Sequence, residues 1–361
     1  MPFYRSNFES AGGGGGGGSD VWGDAYVSFA SDNNSIMENP PLMSLANNYI
    51  FGSLNSEDAT AQLSEIKIGN RVNSVAGLFR NLSYFNCNIN LYNAFNVNDF
   101  TSMTFGATRF NSNVIFPRLT IAPNRTSGSD IVNLNFGYMF ANCFNYNQPI
   151  NITIHAKPQP NCYLWSTCSG MFLNCYNFNS RINFDIYQYS NNMQDDTKYS
   201  LPVYASEMFW NCYNFNQPLI IPPGFSLYSA FWNCRNFNQP VVFDVRDSSG
   251  SEFERVFEGA KNMYADIIFL NSYIEMEYYP SFNGLISNMN RTIPTHIYIE
   301  NIGLIKDNCN VISNVSSIIW EEVANGYYNS IYNVYLLNNV GDALNNFNNY
   351  YYNFYGEYPT Y

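Results

Sequence analysis

The chain has 361 residues, 46% of them hydrophobic and 18% aromatic, with 30 Tyr and 29 Phe against only 12% charged residues. That much apolar surface excludes wholesale disorder. A net charge of −12, with no run of Lys and Arg, argues against nucleic acid or an anionic membrane as partner, since both require basic patches; no apolar stretch reaches the eighteen residues that a spanning helix needs, so membrane insertion is not expected.

The first ten residues, MPFYRSNFES, show neither the basic end and apolar core of a secretory signal nor a lipid-attachment motif. Residues 12–18 are seven consecutive glycines, a flexible tether. It sets apart an arm carrying Phe3, Tyr4, Arg5 and Phe8, whose residue types suit docking into a partner. Residues 1–20 therefore read as an anchoring arm and tether, and residues 21–62 as an N-terminal cap.

From about residue 63 to 300 the chain repeats itself. Residues 139–150 read MFANCFNYNQPI, 171–182 MFLNCYNFNSRI, 208–219 MFWNCYNFNQPL and 230–241 AFWNCRNFNQPV. Aligned on one phenylalanine, the anchors are Phe79, Phe105, Phe140, Phe172, Phe209, Phe231 and Phe257, with Leu285 as a degenerate eighth. Six residues after most anchors stands a second large apolar residue: Phe85, Tyr146, Phe178, Phe215, Phe237 and Met263; the copy at Phe105 is one residue shorter and ends on Phe110. A fixed core with variable gaps is expected when repeats stack and their loops differ in length.

After each copy comes a short β-branched or alternating run, such as INITI at 150–154 and VVFDV at 241–245. These are predicted strands, with Ile150, Ile152 and Ile154 facing inward and Asn151 and Thr153 outward. The segment around each anchor is too short for an independent helix and is predicted to form one helical turn packed on its neighbours. The expected fold is thus a β-rich repeat solenoid, with a short strand plus a helical turn per repeat and irregular loops.

Three residues after the anchor stand Leu82, Cys143, Cys175, Cys212, Cys234 or Ala260, a mixture that says small and buried. The recurring cysteines come one per repeat and no CxxC occurs, so packing is expected rather than a metal site or disulfide. Cys87, Cys162, Cys168 and Cys309 stand outside this pattern, and a Cys162–Cys168 bridge stays open. Asn81, Asn142, Asn174, Asn211 and Asn233 precede the small residue, and Asn86, Asn147, Asn179, Asn216 and Asn238 follow the second aromatic. Held at fixed offsets, they are expected to hydrogen-bond along the stack. N-x-S/T matches such as Asn124 and Asn151 are expected by chance in so Asn-rich a chain.

The pattern MFxNCxNFNQP followed by a short strand resembles the BspA-type leucine-rich repeats, a group also found in Mycoplasma surface lipoproteins. The resemblance covers roughly residues 75–270 and is specific in four copies. It implies a solenoid with a strand in each turn, used to bind proteins or surfaces rather than for catalysis. The wide, irregular spacing and the N-terminus depart from the surface members of that group.

Little in the chain suggests chemistry. Only His155 and His296 are present, both beside predicted strands, and Asp195, Asp196, Glu252 and Glu254 lack the oxygen spacing of a cation loop. No enzyme, cofactor or metal is expected. The candidate binding residues are aromatic: Trp210 and Trp232 just after successive anchors, then Tyr176, Tyr213 and Arg235 four after theirs, a set suited to a sugar ring or a protein hot spot. The unit fades after residue 300, and residues 301–361, ending in a Tyr- and Asn-rich tail, are expected to cap the repeats or form a homo-oligomer contact.

Three functions fit this layout. The arm and tether favour a structural protein of a bacteriophage virion, decorating the particle or attaching it to a host, with other virion proteins as partners through the arm and a host surface protein or glycan as target. The repeats alone fit a bacterial cell-surface adhesin. An intracellular protein-binding scaffold is the third.

Overall fold

The computed structural model describes residues 43–44, 55, 57, 65–68, 72–92, 94–117, 119, 131–156, 163–189, 198–199, 201–245, 253–271, 282, 284–287, 292–302, 321–330 and 333–359. The anchoring arm with Phe3, Tyr4, Arg5 and Phe8, the glycine tether, Cys162 and Cys309 lie outside these residues. The described residues form many short strands in several sheets, with one helix, and the chain divides into two units, Met1–Tyr199 and Ser200–Tyr361.

Within the first unit each repeat contributes two strand positions, one on either side of the anchor. Before it lie β1 (Met43–Ser44), β3 (Val72–Ser74), β6 (Ile131–Asn135) and β8 (Tyr163–Thr167); β1 pairs in parallel with β3, bridges at Asp99 link β3 to β6, and β6 pairs in parallel with β8. After it lie β2 (Glu65–Lys67), β4 (Asn88–Asn90) and β5 (Val114–Ile115) in one parallel set. β7 (Ile150–Ala156) and β9 (Ile182–Tyr189) form another, edged by antiparallel β10 (Lys198–Tyr199). The set before the anchor went unforeseen: runs such as IVNLN read less clearly as strands than the apolar runs that follow each copy.

The second unit repeats the scheme. β11 (Val203–Tyr204) and β13 (Phe225–Ser226) pair in parallel before their anchors. After them β12 (Leu219–Ile221), β14 (Val241–Asp244), β15 (Ile267–Leu270), β16 (Thr295–Ile299) and β19 (Val334–Leu337) run parallel. That sheet ends with antiparallel β18 (Gly326–Asn329) and β17 (Glu321–Val323).

Hydrogen bonds between turns fix the register around the anchors. Phe79 N–H donates to Met103 O (2.8 Å), Thr104 N–H to Met139 O (3.0 Å) and Phe140 N–H to Met171 O (2.9 Å). In the second unit Phe209 donates to Ala230 O, Phe231 to Val256 O and Phe257 to Leu285 O. The residue after each acceptor is the next anchor, so two sequence assignments shift by one. Thr104 rather than Phe105 occupies the second anchor position, and Ile286 rather than Leu285 the last. With Thr104 as anchor, Phe110 falls six residues later as in the other copies. Phe105 instead turns outward and half-buried, beneath the Arg80 guanidinium at 4.9 Å.

The anchor segments are hydrogen-bonded turns, not the expected helical turn, and the reason is conformational. Two residues before the anchor φ is positive at Gly77, Ser102, Tyr138, Gly170, Glu207, Ser229, Arg255 and Gly284; two after it, φ is positive at Asn81, Gly106, Asn142, Asn174, Asn211, Asn233 and Gly259. A left-handed residue cannot sit inside a right-handed helix. The later position accepts only Asn or Gly, the residues that reach this region at least cost. At Gly106 (φ +72°) a side chain would also meet Asn81 Oδ1 at 2.5 Å.

The core is a column of rings between the strands. Anchor and sixth-position rings stack within a repeat, as Phe79 on Phe85 (4.3 Å) and Phe172 on Phe178 (4.4 Å), and between repeats, as Phe85 on Phe110 (5.5 Å) and Phe140 on Phe172 (5.5 Å). In the second unit Phe209, Phe215, Phe231, Phe237 and Phe257 do the same. All these anchors are fully buried, as are Cys143, Cys175, Cys212 and Cys234.

Replacing Phe209 or Phe215 by Ala is expected to lower stability by about 3–5 kcal/mol, whereas Phe105→Ala should cost only about 1 kcal/mol, the scale of its cation–π contact. Denaturant titration of the three variants checks this; an equal loss at Phe105 would overturn the assignment of Thr104 as anchor.

Candidate functional site

Apart from the ring column, three further rows tie successive repeats together, and they define which side chains are left for binding. The thiols three residues after the anchor donate backward: Cys143 Sγ to Thr104 O, Cys175 Sγ to Phe140 O and Cys234 Sγ to Phe209 O, each at 3.0 Å. Burial pushes the Cys143 thiol up to about 12 and raises the Cys175 and Cys234 thiols as well. A thiol held protonated in a dry interior is neither a nucleophile nor a metal ligand. Cys168 is also a free, buried thiol, and burial raises it to about 12; Cys162, with which a bridge was left open, lies outside the described residues. Cys168 stands four residues before an anchor, in the same column as Phe100 and Phe136.

The asparagine seven residues after the anchor accepts, through its side-chain oxygen, the backbone N–H of the same position one repeat on. Asn86 Oδ1 receives Asn111 N–H, Asn111 receives Asn147 and Asn147 receives Asn179, at 2.7–2.8 Å. In the second unit Asn216 receives Asn238 (2.8 Å) and Asn238 receives Tyr264 (3.1 Å). The asparagines two after the anchor join by their carboxamides, Asn174 to Asn142 at 2.8 Å and Asn233 to Asn211 at 2.7 Å. The expected asparagine stacking is therefore present twice. A further row, bonded within its own turn, went unnoticed in the sequence: five residues before the anchor, Ser74, Asp99, Asn135 and Thr167 each accept the N–H two residues on. Mixed identities hid it, although all four are side chains that cap a turn.

In most copies the positions one and four residues after the anchor reach the surface, the buried Ala141 being an exception. Trp210 and Trp232 stack with ring centres 4.3 Å apart, and the Arg255 guanidinium lies 4.8 Å from the Trp232 ring on the side of the following repeat. Arg255 is ion-paired to Glu258. Both faces of Trp232 are thus covered, and its edge faces outward. Tyr213 lies beneath the Arg235 guanidinium at 4.7 Å, and Arg235 Nε donates to Asn233 Oδ1 at 2.9 Å. Tyr176 belongs to the first unit, stacked on Phe144 at 4.9 Å. The structure thus brings Trp210 together with Trp232, and Tyr213 with Arg235.

Both histidines pair with an aspartate one repeat away: His155 Nε2 with Asp185 at 2.8 Å and His296 Nδ1 with Asp266 at 3.2 Å. His155 is buried and also stacks on Tyr187. Among the described residues no three His, Cys, Asp or Glu side chains converge as a metal site, and no helix is long and apolar enough to cross a membrane. Asp195, Asp196 and Glu252 lie outside the described residues.

A family model described as "Mycoplasma protein of unknown function, DUF285" matches residues 49–156, a stretch that contains the turns at Phe79, Thr104 and Phe140. This match is consistent with a Mycoplasma or BspA-like repeat family. No curated protein and no solved structure matches the chain.

Trp232→Ala removes a ring stack and a cation–π contact, whereas Trp210→Ala removes the stack from its other partner. Losses of about 1–2 kcal/mol for Trp232 and about 1 kcal/mol for Trp210 are expected, read as shifts in melting temperature. Identical melting of Trp232→Ala and the parent chain would mean that these contacts contribute nothing to the turn.

Burial of the thiols also sets a pH dependence. Their protons are held more tightly in the folded state than in the unfolded chain, so their stabilisation is complete below about pH 9 and is lost as pH rises toward 12. Denaturation midpoints measured from pH 7 to 11 should fall above pH 9, and fall less steeply in Cys143→Ala; equal slopes would contradict the assignment.

Proposed function

We propose that this protein is a non-enzymatic binding protein, each unit being a stretch of leucine-rich-repeat-like solenoid. The observation that carries this reading is the in-register stacking of equivalent positions along successive repeats: ring on ring, carboxamide to N–H and, where the position is Cys, thiol to carbonyl. Repeats that contact only their neighbours present a long, regular surface of outward side chains. The titratable groups most altered by their surroundings are thiols and a tyrosine sealed in the core, which suits support rather than catalysis.

Within that reading, the N-terminal arm and its seven-glycine tether favour attachment to a larger assembly, and we assign the chain to the structural proteins of a bacteriophage virion. Phe3, Tyr4, Arg5 and Phe8 would anchor the arm to other virion proteins, and the repeats would engage the host. The family match over residues 49–156 favours a second reading, a bacterial cell-surface adhesin of BspA type.

Mass spectrometry of purified particles from the source organism separates the two, with a chain lacking residues 1–18 followed in parallel. The virion reading expects the full chain in the particle and the truncated chain absent from it. Recovery of both forms with cell envelopes and neither with particles would establish the adhesin reading instead.

A further inference from the structure

We propose that the outward face of the helix α1 (Val340–Tyr355) is a contact surface for a second copy of this chain, the two copies meeting face to face about a two-fold axis. The inference goes beyond the functional reading above and depends on neither of its alternatives. One side of the helix, through Val340, Ala343, Phe347 and Tyr351, is buried on the sheet of the second unit. With about 3.6 residues per turn, the opposite side is a stripe of Asn345, Asn349 and Asn353, all exposed. Rings flank the stripe: Tyr350 and Phe354 at 6.0 Å on one edge, Tyr352 and Tyr358, stacked at 4.7 Å, on the other. Tyr358 reaches Tyr352 because Gly356 (φ +78°) ends the helix in the left-handed region and turns the chain back.

This face is not composed as one that meets only water. Tyr352 and Phe354 are 44% exposed and Tyr358 62%, whereas along the rest of the described chain exposed aromatic side chains stand singly or as the pair Tyr92 and Phe95. A solvated helix side is better served by Lys, Glu and Gln, which favour both helix and solubility. Residues 343–356, ALNNFNNYYYNFYG, hold no charged group at all. Exposed rings gathered on one uncharged patch mark an interaction surface.

The partner is identified by the fact that every group on the face pairs with its own kind. Inside the units carboxamide meets carboxamide, Asn174 on Asn142 at 2.8 Å and Asn233 on Asn211 at 2.7 Å, and ring stacks on ring. On α1 the same residue types lack those partners: Asn345, Asn349 and Asn353 make no side-chain hydrogen bond with any described residue. An identical face supplies both the carboxamides and the rings, and a two-fold axis lets one patch serve both copies. Charge points the same way. At a net charge of −12 two copies repel wherever their acidic side chains meet, and the uncharged stretch between Asp342 and Glu357 is a place where they can approach. Area sets the strength. A helix of 16 residues is about 24 Å long, well short of the roughly 800 Å² per partner of a permanent complex, so Kd is expected on the order of 10–100 µM. Copies held side by side on a larger assembly would associate through their high local concentration.

The test is sedimentation equilibrium of the full chain from about 5 to 500 µM, a range that brackets the expected Kd. Monomer and dimer are expected and nothing larger, since an isologous contact closes on itself, and added salt should strengthen the dimer by screening the acidic chains from each other. A chain with Asn349→Lys and Asn353→Lys, and separately one with Asn349→Asp and Asn353→Asp, sets like charges against each other across the axis. Each should dimerise at least roughly tenfold more weakly, and the two mixed in equal amounts should associate again. Both positions are exposed, so the variants should melt with the parent chain. Tyr204→Lys, an exposed site on β11, controls for added charge and should dimerise as the parent does. A monomer at every concentration would overturn the inference and leave the face to a different partner. Dimers unaffected by the paired lysines, a mixture that stays monomeric, or species beyond the dimer would overturn it as well. Recovery of the chain in particles or envelopes bears on the functional reading alone.

Discussion

Every other feature of the two units depends on how the turns bond to one another. Around each anchor, alternate N–H groups leave their own turn: Gly77, Phe79 and Asn81 donate to Thr101, Met103 and Phe105, while Leu78, Arg80 and Leu82 bond three residues back within their own turn. Dividing the donors in this way demands a backbone that reverses hand twice, and the left-handed residues two before and two after the anchor provide it. Once that condition is met, equivalent residues stand one repeat apart, and each column must hold side chains that tolerate their own kind as neighbours. Aromatic rings do so by stacking, thiols by reaching the preceding carbonyl, and carboxamides because each carries both a donor and an acceptor. The repeated motif is therefore the consequence of one backbone requirement, met at each turn by the same few residue types.

The two units differ in how the outer faces of their strands are covered. In β7 and β9 the outward residues are Asn151, Thr153, Asn183 and Asp185, while Ile150, Ile152, Ile154, Ile182, Phe184 and Ile186 are buried inside. β14 and β15 read VVFD and IIFL and are buried on both faces. Such strands require a cover, and in the second unit the helix α1 (Val340–Tyr355) supplies it, setting Val340, Ala343, Phe347 and Tyr351 against Val242, Ile268 and Leu270. Tyr350 and Tyr355 then hydrogen-bond Gln239 and Gln217. These are the glutamines of two successive NQP motifs, so a residue type repeated along the chain is used in this unit to fasten its last element. The antiparallel hairpin β17–β18 ends the sheet with exposed Glu321 and Glu322 on its outer strand, charges that discourage a further strand from adding there.

Much of this was legible in the sequence, and the remainder was hidden for identifiable reasons. Phe, Cys and Asn recur at fixed offsets, which exposed the columns. The inward alternation of Ile150, Ile152 and Ile154 follows from a period of two. The register at Thr104 was obscured because a polar residue occupies an aromatic position and an aromatic stands next to it. Thr104 is accommodated by donating its hydroxyl to Met139 O at 2.8 Å. The helix was missed because Asn and Tyr are weak helix formers. Its signal was the spacing of Val340, Ala343, Phe347, Tyr351 and Tyr355, three or four residues apart, and burial against a sheet outweighs propensity. The stack of Trp210 on Trp232 was legible from their shared offset; the arginine closing the second face was not, since Arg255 precedes its anchor.

Those same columns determine where function can reside. Inward and ladder positions are tied to their neighbours, so a change there disturbs the register of every adjoining turn. Tyr146 shows how far that constraint extends: it keeps its ring in the stack, 4.3 Å from Phe140, although its hydroxyl has no hydrogen-bond partner among the described residues. The positions one and four after the anchor are less constrained in residue type, and apart from the buried Ala141 they hold Arg80, Phe105, Leu173, Trp210, Trp232 and Glu258 in one row, and Ser83, Thr108, Phe144, Tyr176, Tyr213, Arg235 and Lys261 in the other. Such variety beside rows that scarcely vary is what a rigid frame allows: the interior stabilises each turn whatever its outer side chains are, leaving those side chains to be set by what the surface must meet.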